Sequence, residues 1–376
     1  MKSLLNMEFL PLIEMLYNTI KKITILSLFL ALVSCGSDKK SEDPETDFDV
    51  NGMLVNMADN IIVPAYTNLN AAILKLEDEV SVLDTTQSTN NLTAVKEAYL
   101  ALHLAWHKAA MFDFGPAQDM VLRSAMNTYP IVDTLIQSNI AEGNYNLGTT
   151  SNLQGATGLN ALDYLLYGIE TPLTVGEIDY IQAIVKQMKT KVGYVLNEWN
   201  TNYRDTFVNN LGTSNSSSVS LLLNDLSLYT EKNLRTGKIR IPAGLLPTSS
   251  GISLNHIEAK YSANYSSTYI QTSLQAVSDY YYGIGTAGDG IGFDEYLQAL
   301  DTDYNQTKLY LAIREKLSET IQEASTLNNP YAAELQNNHD KVEMVYNQVQ
   351  DLVILIKNHM TVAIGVRIGY VDTDGD

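Results

Sequence analysis

The sequence of 376 residues predicts an all-α protein. Long segments carry apolar residues at alternating intervals of three and four positions, which places these residues along one side of a helix. Few segments alternate apolar and polar residues with the period of two that is typical of strands, and none of those is bounded by hairpin turns. We therefore expect helices to form most of the fold and strands to be scarce.

The clearest stripe predicts a helix over residues 92–114. Its apolar residues are Val95, Tyr99, Leu102, Trp106 and Ala109. A Gly-Pro dipeptide follows directly and is typical of a helix end. Similar stripes predict helices in four later segments, residues 179–208, 219–236, 294–325 and 331–359.

Three segments interrupt these helices. Residues 138–157 are rich in Asn, Gly, Thr and Ser, and residues 283–292 read GIGTAGDGIG. Residues 237–255 contain Pro242 and Pro247, which exclude a continuous helix because proline lacks the amide proton that a helix needs.

Residues 1–35 have the features of a lipoprotein signal peptide. Two lysines precede the apolar run 23–33, whose length of about a dozen residues is short of the roughly 20 that a membrane-spanning helix needs. The Leu-Val-Ser sequence before Cys35 resembles a bacterial lipobox, in which the cysteine receives the lipid. An ordinary signal peptide that happens to contain cysteine is the alternative. Met7 or Met15 is the expected start of translation.

Residues 36–49 are polar, acidic and without periodicity, which predicts a flexible tether. Acyl chains on Cys35 would hold the protein at a membrane without a spanning helix. Cys35 is the only cysteine, which excludes an internal disulfide. The chain has 24 basic and 43 acidic residues, and its formal net charge of −19 argues against nucleic acid as a partner.

Residues 158–168, GLNALDYLLYG, resemble the signature of the imelysin-like family, G-x-H-x-x-E followed by an aromatic residue and two leucines. The frame is kept at Gly158 and in the Tyr-Leu-Leu-Tyr-Gly ending. Asn160 stands where the family has histidine, and Asp163 stands where it has glutamate. The segment indicates the family but alters the two positions that carry its best-known proposed chemistry.

The resemblance covers nearly all of the chain after the signal peptide. Further blocks fit in register: residues 60–76 with Pro64, Trp106, residues 123–130, Phe207, Ile241 with Pro242, Glu258 with Tyr261 and Ser262, and residues 292–294. The resemblance implies two related helical bundles packed around a shared cleft beside the signature. We place the first bundle at residues 50–205 and the second at residues 206–376.

Positions 160 and 163 would lie on the same face of a helix. Histidine and glutamate there could begin a transition-metal site, whereas the amide oxygen of Asn160 is a poor ligand for zinc or ferrous iron and is tolerated by calcium. Two interpretations stay open. Asn160 and Asp163 either cap or bridge helices beside the cleft, or they bind a small ligand or a weakly held cation.

Five more candidates lie outside the signature. His103 and His107 have the i, i+4 spacing that can chelate a metal, although their place beside the apolar stripe favours a partly exposed helix face. Arg123 suits a carboxylate or phosphate on a ligand, or else a salt bridge to Asp163. Glu258 and Ser262 would reach the same cleft if the two bundles face each other, and a loop-to-helix cap is the alternative.

Two motifs are poor candidates for binding. The GxGxxG pattern at residues 283–288 follows a tyrosine-rich helix and not a strand, so we do not expect a dinucleotide loop. Asp372, Asp374 and Asp376 resemble calcium-loop acids, but the glycine is misplaced and no glutamate follows, so we expect a solvated tail.

What is known of the family links many of its members to iron acquisition. The resemblance therefore implies a lipid-anchored protein of the cell outer membrane, with a binding role in iron or haem uptake and an outer-membrane uptake partner. The cleft would use Arg123, Asn160, Asp163, Glu258 and Ser262, with an iron or other divalent cation as the candidate cofactor. A metallopeptidase that recruits the two histidines and a glycan-binding or partner-docking lipoprotein are the alternatives; the changes in the signature weigh against the peptidase.

Overall fold

Helices carry almost all of the regular structure, as the periodicity predicts. The computed structural model describes residues 47–85, 89–143 and 146–370. The predicted signal peptide, its lipid site at Cys35, most of the tether and the C-terminal acids Asp372, Asp374 and Asp376 lie outside the described residues. The described residues belong to one compact unit.

The first half begins with a long helical run in three parts. Helix α1 (Val50–Asn56) continues through the π-helical segment Met57–Ile62 into α2 (Val63–Ser81). The remaining helices of this half are α3 (Thr89–Ala109), α4 (Pro116–Asp119), α5 (Leu122–Met126), α6 (Asp133–Glu142), α7 (Thr150–Leu153), α8 (Gly158–Asp163), the π-helical segment Tyr164–Gly168 and α9 (Val175–Glu198).

Helix α2 is the centre of this half because it packs against both α3 and α9. It buries residues at intervals of three and four along one side: Tyr66, Leu69, Ile73, Leu76 and Val80. Burying each of the four aliphatic side chains in this set contributes about 1.5–3 kcal/mol to folding. The short helices α4 to α8 then connect α3 to α9 and bring the signature segment against α3 and α5.

The second half holds the other long helices. They are the π-helical segment Trp199–Tyr203, α10 (Arg204–Asn209), α11 (Ser218–Leu228), the π-helical segment Tyr229–Arg240, α12 (Ser266–Tyr282), α13 (Phe293–Leu300), α14 (Leu309–Ala324), α15 (Tyr331–Asn337), α16 (His339–Ile354), the π-helical segment Leu355–Met360 and α17 (Thr361–Ile364). A short 3-10 turn covers Leu254–His256.

Helix α12 joins the halves because it packs against α3 as well as against α13 and α14. The buried apolar residues of both halves form one cluster. The division at residue 205 therefore stays a prediction. In the part of the chain that the structure describes, no helix combines the length and apolarity needed to cross a bilayer.

Two of the predicted helices are interrupted. The helix expected over 294–325 is wrong in its middle, because Asp301 adopts a left-handed φ of 48° and ends α13. A hairpin of two short strands follows, β1 (Asp303–Tyr304) and β2 (Thr307–Lys308), with Asp303 opposite Lys308. The helix expected over 331–359 breaks at Asn338, whose backbone angles, φ −135° and ψ 42°, are not helical.

Helix α9 begins with a capping box that can be tested. The Thr174 hydroxyl accepts a hydrogen bond from the Glu177 amide at 3.3 Å, and the Thr174 amide donates to the Glu177 carboxylate at 2.7 Å. We expect Thr174→Ala to lower the free energy of unfolding by about 1 kcal/mol because an amide at the helix start loses its acceptor.

Thr190→Ala is the matched control, since Thr190 is also exposed but lies inside α9. Alanine is the better helix former there, so the control should be neutral or stabilise by up to ~0.7 kcal/mol. Urea unfolding of the two variants measures the contrast, and equal losses would contradict the assigned cap.

Candidate functional site

A buried polar cluster lies where α3 faces the segment around Glu258. His103 Nε2 is 3.2 Å from Glu258 Oε1, and His107 Nε2 is 3.6 Å from the same oxygen. Both histidines are fully buried, and Glu258 is 3% exposed. The expectation of a partly exposed face at the two histidines is wrong, because Tyr269 of α12 covers both rings. It stacks on His103 at a centroid distance of 4.1 Å and lies tilted against His107 at 4.9 Å.

Lys238 completes the cluster. It comes from the π-helical segment Tyr229–Arg240, is 4% exposed, and forms an ion pair with Glu258 Oε2. Burial alone would raise the pKa of Glu258, but the ammonium of Lys238 and the two imidazoles outweigh burial and hold that pKa well below its usual value. Glu258 is therefore a carboxylate throughout the neutral range.

The two histidines differ in their hydrogen bonds. His103 Nδ1 lies 3.1 Å from the hydroxyl of Tyr99. For His107, neither ring nitrogen has a hydrogen-bond partner among the described residues. Burial lowers the pKa of His103, and burial together with the charge of Lys238 lowers the pKa of His107 well below its usual value. Both rings are therefore neutral at neutral pH.

Asn160 of the signature reaches this cluster through Asn127. Its amide nitrogen donates to Asn127 Oδ1 at 2.7 Å, and Asn127 Nδ2 donates to Glu258 Oε1 at 2.5 Å. Its amide oxygen accepts from the backbone amide of Ala259 at 2.9 Å. Asn160 thus bridges α8 to the segment that carries Glu258.

Asp163 fixes the next part of that segment. Its two carboxylate oxygens accept from the backbone amides of Tyr261 at 2.8 Å and Ser262 at 3.0 Å. Burial raises the pKa of Asp163 to about 6, and the hydrogen bonds from Ser262 and Tyr261 oppose the rise. Ala259 and Ala263 flank these amides with left-handed φ values of 51° and 52°, an unfavourable conformation for alanine that external hydrogen bonds must hold.

The serines of this segment bond to its own backbone. Ser262 Oγ donates to the Ala259 carbonyl at 3.1 Å, and Ser266 Oγ donates to the Glu258 carbonyl at 2.7 Å. Gly158 allows the signature to lie this close, because its φ is 75° and a Cβ there would be 2.5 Å from the Met126 carbonyl oxygen. The geometry matches the interpretation that the signature bridges elements beside the cleft.

Arg123 forms ion pairs other than the salt bridge to Asp163 that the sequence suggested. Its guanidinium donates to Asp225 at 2.8 Å and to the Ala110 carbonyl at 3.0 Å, and it lies 3.5 Å from Asp113. The structure thus gives Arg123 two other carboxylates instead of Asp163. The pKa of Asp113 rises to about 6 because the group is buried, although Arg123 opposes the rise.

A surface cleft of about 290 Å³ opens beside Arg123. Its lining residues are Arg123, Ser124, Asn127, Thr128, Tyr129, Lys232, Asn233, Gly237, Ile241 and His256. A smaller cavity of about 20 Å³ shares Arg123, Asn127, Tyr129 and Asn233 with the cleft and is also lined by His107 and Lys238. The small cavity therefore lies between the cleft and the His107 and Lys238 side of the buried cluster.

The predicted site residues fall into two layers. Arg123 lines the cleft, whereas Glu258 lies beneath it in the buried cluster and Asn160, Asp163 and Ser262 hold the Glu258 segment. Their ligand-binding role stays a prediction. The sequence reasoning missed Lys238, Asn127 and Tyr269. The family block at residues 123–130 was the only signal that pointed to Asn127, and nothing local marked Lys238 as buried.

Comparisons with known proteins agree on the fold. The sequence model of the family named Imelysin matches residues 62–359. The structure of an imelysin-like protein from Psychrobacter arcticum superposes with a TM-score of 0.68 at 20% identity, covering 86% of this chain and 99% of that one. A structure from Parabacteroides distasonis, whose name relates it to iron-regulated protein A, gives a TM-score of 0.70 at 15% identity, covering 86% and 97%.

A curated relative matches over a shorter region. Iron-regulated protein A of Synechococcus elongatus is 21% identical over 149 residues, which is 40% of this chain and 40% of that protein. The chain therefore spans well under half of the length of this relative.

The signature aspartate gives a test of its structural role. We expect Asp163→Asn to lower the free energy of unfolding by about 1–3 kcal/mol, because an amide group can accept only one of the two backbone hydrogen bonds and leaves a buried amide unpaired. Urea unfolding measures the change. Asp179→Asn in α9 is the control, since Asp179 is exposed; a loss of the same size there would contradict the bridging role.

Proposed function

The chain belongs to the imelysin family, and on that premise we propose that it is a cell-envelope protein of iron uptake that binds an anionic ferric chelate in its cleft without catalysis. The connection with iron rests on similar proteins that carry the name iron-regulated protein A. The ligand class rests on the cleft.

The charge of the cleft is the observation that carries the proposal. The chain has a net charge of −19, yet the described residues that line the cleft include Lys232 and Arg123, the latter paired with Asp113 and Asp225, and no carboxylate. A concave, cation-lined site in an acidic protein attracts small anions. The cleft volume of about 290 Å³ is close to the smallest volumes of pockets that bind small organic ligands.

Lys232 is a basic residue of the cleft wall. Its ammonium lies 3.0 Å from Glu231, but the same carboxylate also lies 2.9 Å from Lys357 and 3.7 Å from Arg235. Glu231 is thus a buried carboxylate with three basic neighbours, of which Lys232 lines the cleft. Ferric complexes of polycarboxylic acids such as citrate are anionic and suit a lining whose described residues include basic side chains and no carboxylate.

The geometry favours binding over peptidase activity. A zinc peptidase must admit a polypeptide to an open position on its metal. The His103, His107 and Glu258 cluster is buried, and the cavity that leads to it has a volume of only about 20 Å³. Asn160 and Asp163 are bonded to the backbone of the Glu258 segment, so in the proposed function they position that segment.

We expect ferric citrate to bind the full chain with one site, measured by isothermal titration calorimetry. Lys232→Glu should weaken this binding at least tenfold, about 1.4 kcal/mol, because it reverses a charge that lines the cleft. Lys186→Glu is the matched control: it makes the same charge change on an exposed residue of α9 and should leave the affinity unchanged.

Two results would contradict the ligand assignment. Equal affinity for citrate with and without iron would indicate a general anion site. Binding of acidic oligosaccharides in place of ferric citrate would favour the glycan-binding alternative.

The attachment to the outer membrane is a separate part of the proposal and rests on the sequence around Cys35. We expect the protein from cells grown with radiolabelled palmitate to carry label and to sediment with outer membranes. Cys35→Ser removes the thiol that takes the lipid, so the label should disappear and the protein should become extractable without detergent. Unchanged labelling of Cys35→Ser would overturn the lipid anchor.

A further inference from the structure

We propose that His103, His107 and Glu258 form a second, buried site that binds one divalent first-row transition-metal ion. Their ligand atoms all lie within 4.8 Å of one another. Ligand atoms at about 2.0–2.2 Å from a bound ion are themselves about 3 Å apart. The distances of 3.2 and 3.6 Å from the histidine nitrogens to Glu258 Oε1 therefore need only small adjustments.

His107 provides the strongest argument for an ion. Both of its ring nitrogens are buried and lack a hydrogen-bond partner among the described residues. A buried polar group without a partner destabilises the folded state, and an apolar side chain at the same position would avoid that loss. A metal bond to Nε2 would supply the missing partner on the side that faces Glu258.

Tyr99 and Asp163 are placed to orient His103 for the ion. The Tyr99 hydroxyl lies 3.1 Å from His103 Nδ1 and also bonds to the carboxylate of Asp163. Without an ion, Nε2–H of His103 donates to Glu258. With an ion bound, the other tautomer would apply: the hydroxyl donates to Asp163, Nδ1–H donates to the hydroxyl oxygen, and the lone pair of Nε2 faces the ion. Such carboxylate-supported imidazoles are common around protein-bound metals. Asp163 would thus be a positioning residue for this site.

The ligand set decides the class of ion. Two imidazoles and one carboxylate suit zinc, ferrous iron or cobalt, whereas magnesium and calcium prefer sites built from oxygen atoms. Both rings pack against Tyr269, which keeps them fixed and shields one side from water. The remaining coordination positions would face the 20 Å³ cavity, which is large enough for one water molecule.

Lys238 would compete with the ion for the carboxylate of Glu258. Its ammonium pairs with Glu258 Oε2, and a divalent ion at Oε1 of the same buried carboxylate would repel it. Lys238 also lines the small cavity that leads to the cleft, so its side chain has space beside it on that side. We infer that the ion displaces the ammonium toward this cavity. An uncharged residue at position 238 should therefore strengthen metal binding.

The test is calorimetric titration of the chelator-treated full chain with Zn²⁺, with Co²⁺ as a spectroscopic probe and Mg²⁺ as the negative control. We expect one Zn²⁺ per chain, Co²⁺ absorption bands in the visible range, and no response to Mg²⁺. His107→Leu should weaken Zn²⁺ binding at least hundredfold, and Lys238→Met should strengthen it at least tenfold.

His339→Gln is the matched control. His339, Asp340 and Glu343 form another group with ligand spacing, but that group lies at the surface. The control should bind Zn²⁺ as the wild type does. Loss of binding in His339→Gln with retention in His107→Leu would overturn the proposal, and so would the absence of Zn²⁺ binding in the wild type.

Circular dichroism establishes that each variant is folded. If His107→Leu does not fold, His103→Gln is the second ligand variant, and it should weaken Zn²⁺ binding at least tenfold. The buried site and the cleft fail independently: Lys232→Glu should leave Zn²⁺ binding unchanged, and His107→Leu should leave ferric citrate binding unchanged.

Discussion

The buried charge of Glu258 is the constraint on which the rest of the site depends. An ionised carboxylate is costly to remove from water, so every neighbour must compensate for it. Lys238 supplies the opposite charge, Asn127 and His103 supply hydrogen bonds, and each comes from a different part of the chain. The two halves of the protein therefore meet around one anion, and a change that removes any one compensating partner destabilises the contact between them.

The altered signature fits this arrangement. Asn160 and Asp163 place four hydrogen bonds around the Glu258 segment, three of them to backbone amides and one to Asn127. These bonds hold a stretch that contains two left-handed alanines and that no regular element supports. The two signature positions can thus keep their place in the fold while their side chains accept hydrogen bonds from the backbone of a neighbouring segment.

The helices could be predicted from the sequence because a helix that buries one side needs apolar residues at intervals of three and four, and this spacing is visible locally. The break at Asp301 could not, since it depends on one left-handed residue and a hairpin of two-residue strands. The resemblance to a family brought Arg123, Asn160, Asp163 and Glu258 to one region. The pairing of Arg123 with Asp225 and the burial of Lys238 against Glu258 stayed hidden, because these partners lie 102 and 20 positions apart in the sequence.

The ion pairs of Arg123 bear on how the molecule moves. Arg123 joins Asp113, which follows α3, to Asp225 of α11, and Asp113 itself donates its backbone amide to Asp225 at 2.5 Å. These contacts connect the two halves at the wall of the cleft. A hinge motion that separates the halves would have to break them. A ligand would therefore enter a preformed cleft. The width of the entrance, and not a closing motion, would determine which molecules enter and how fast they leave.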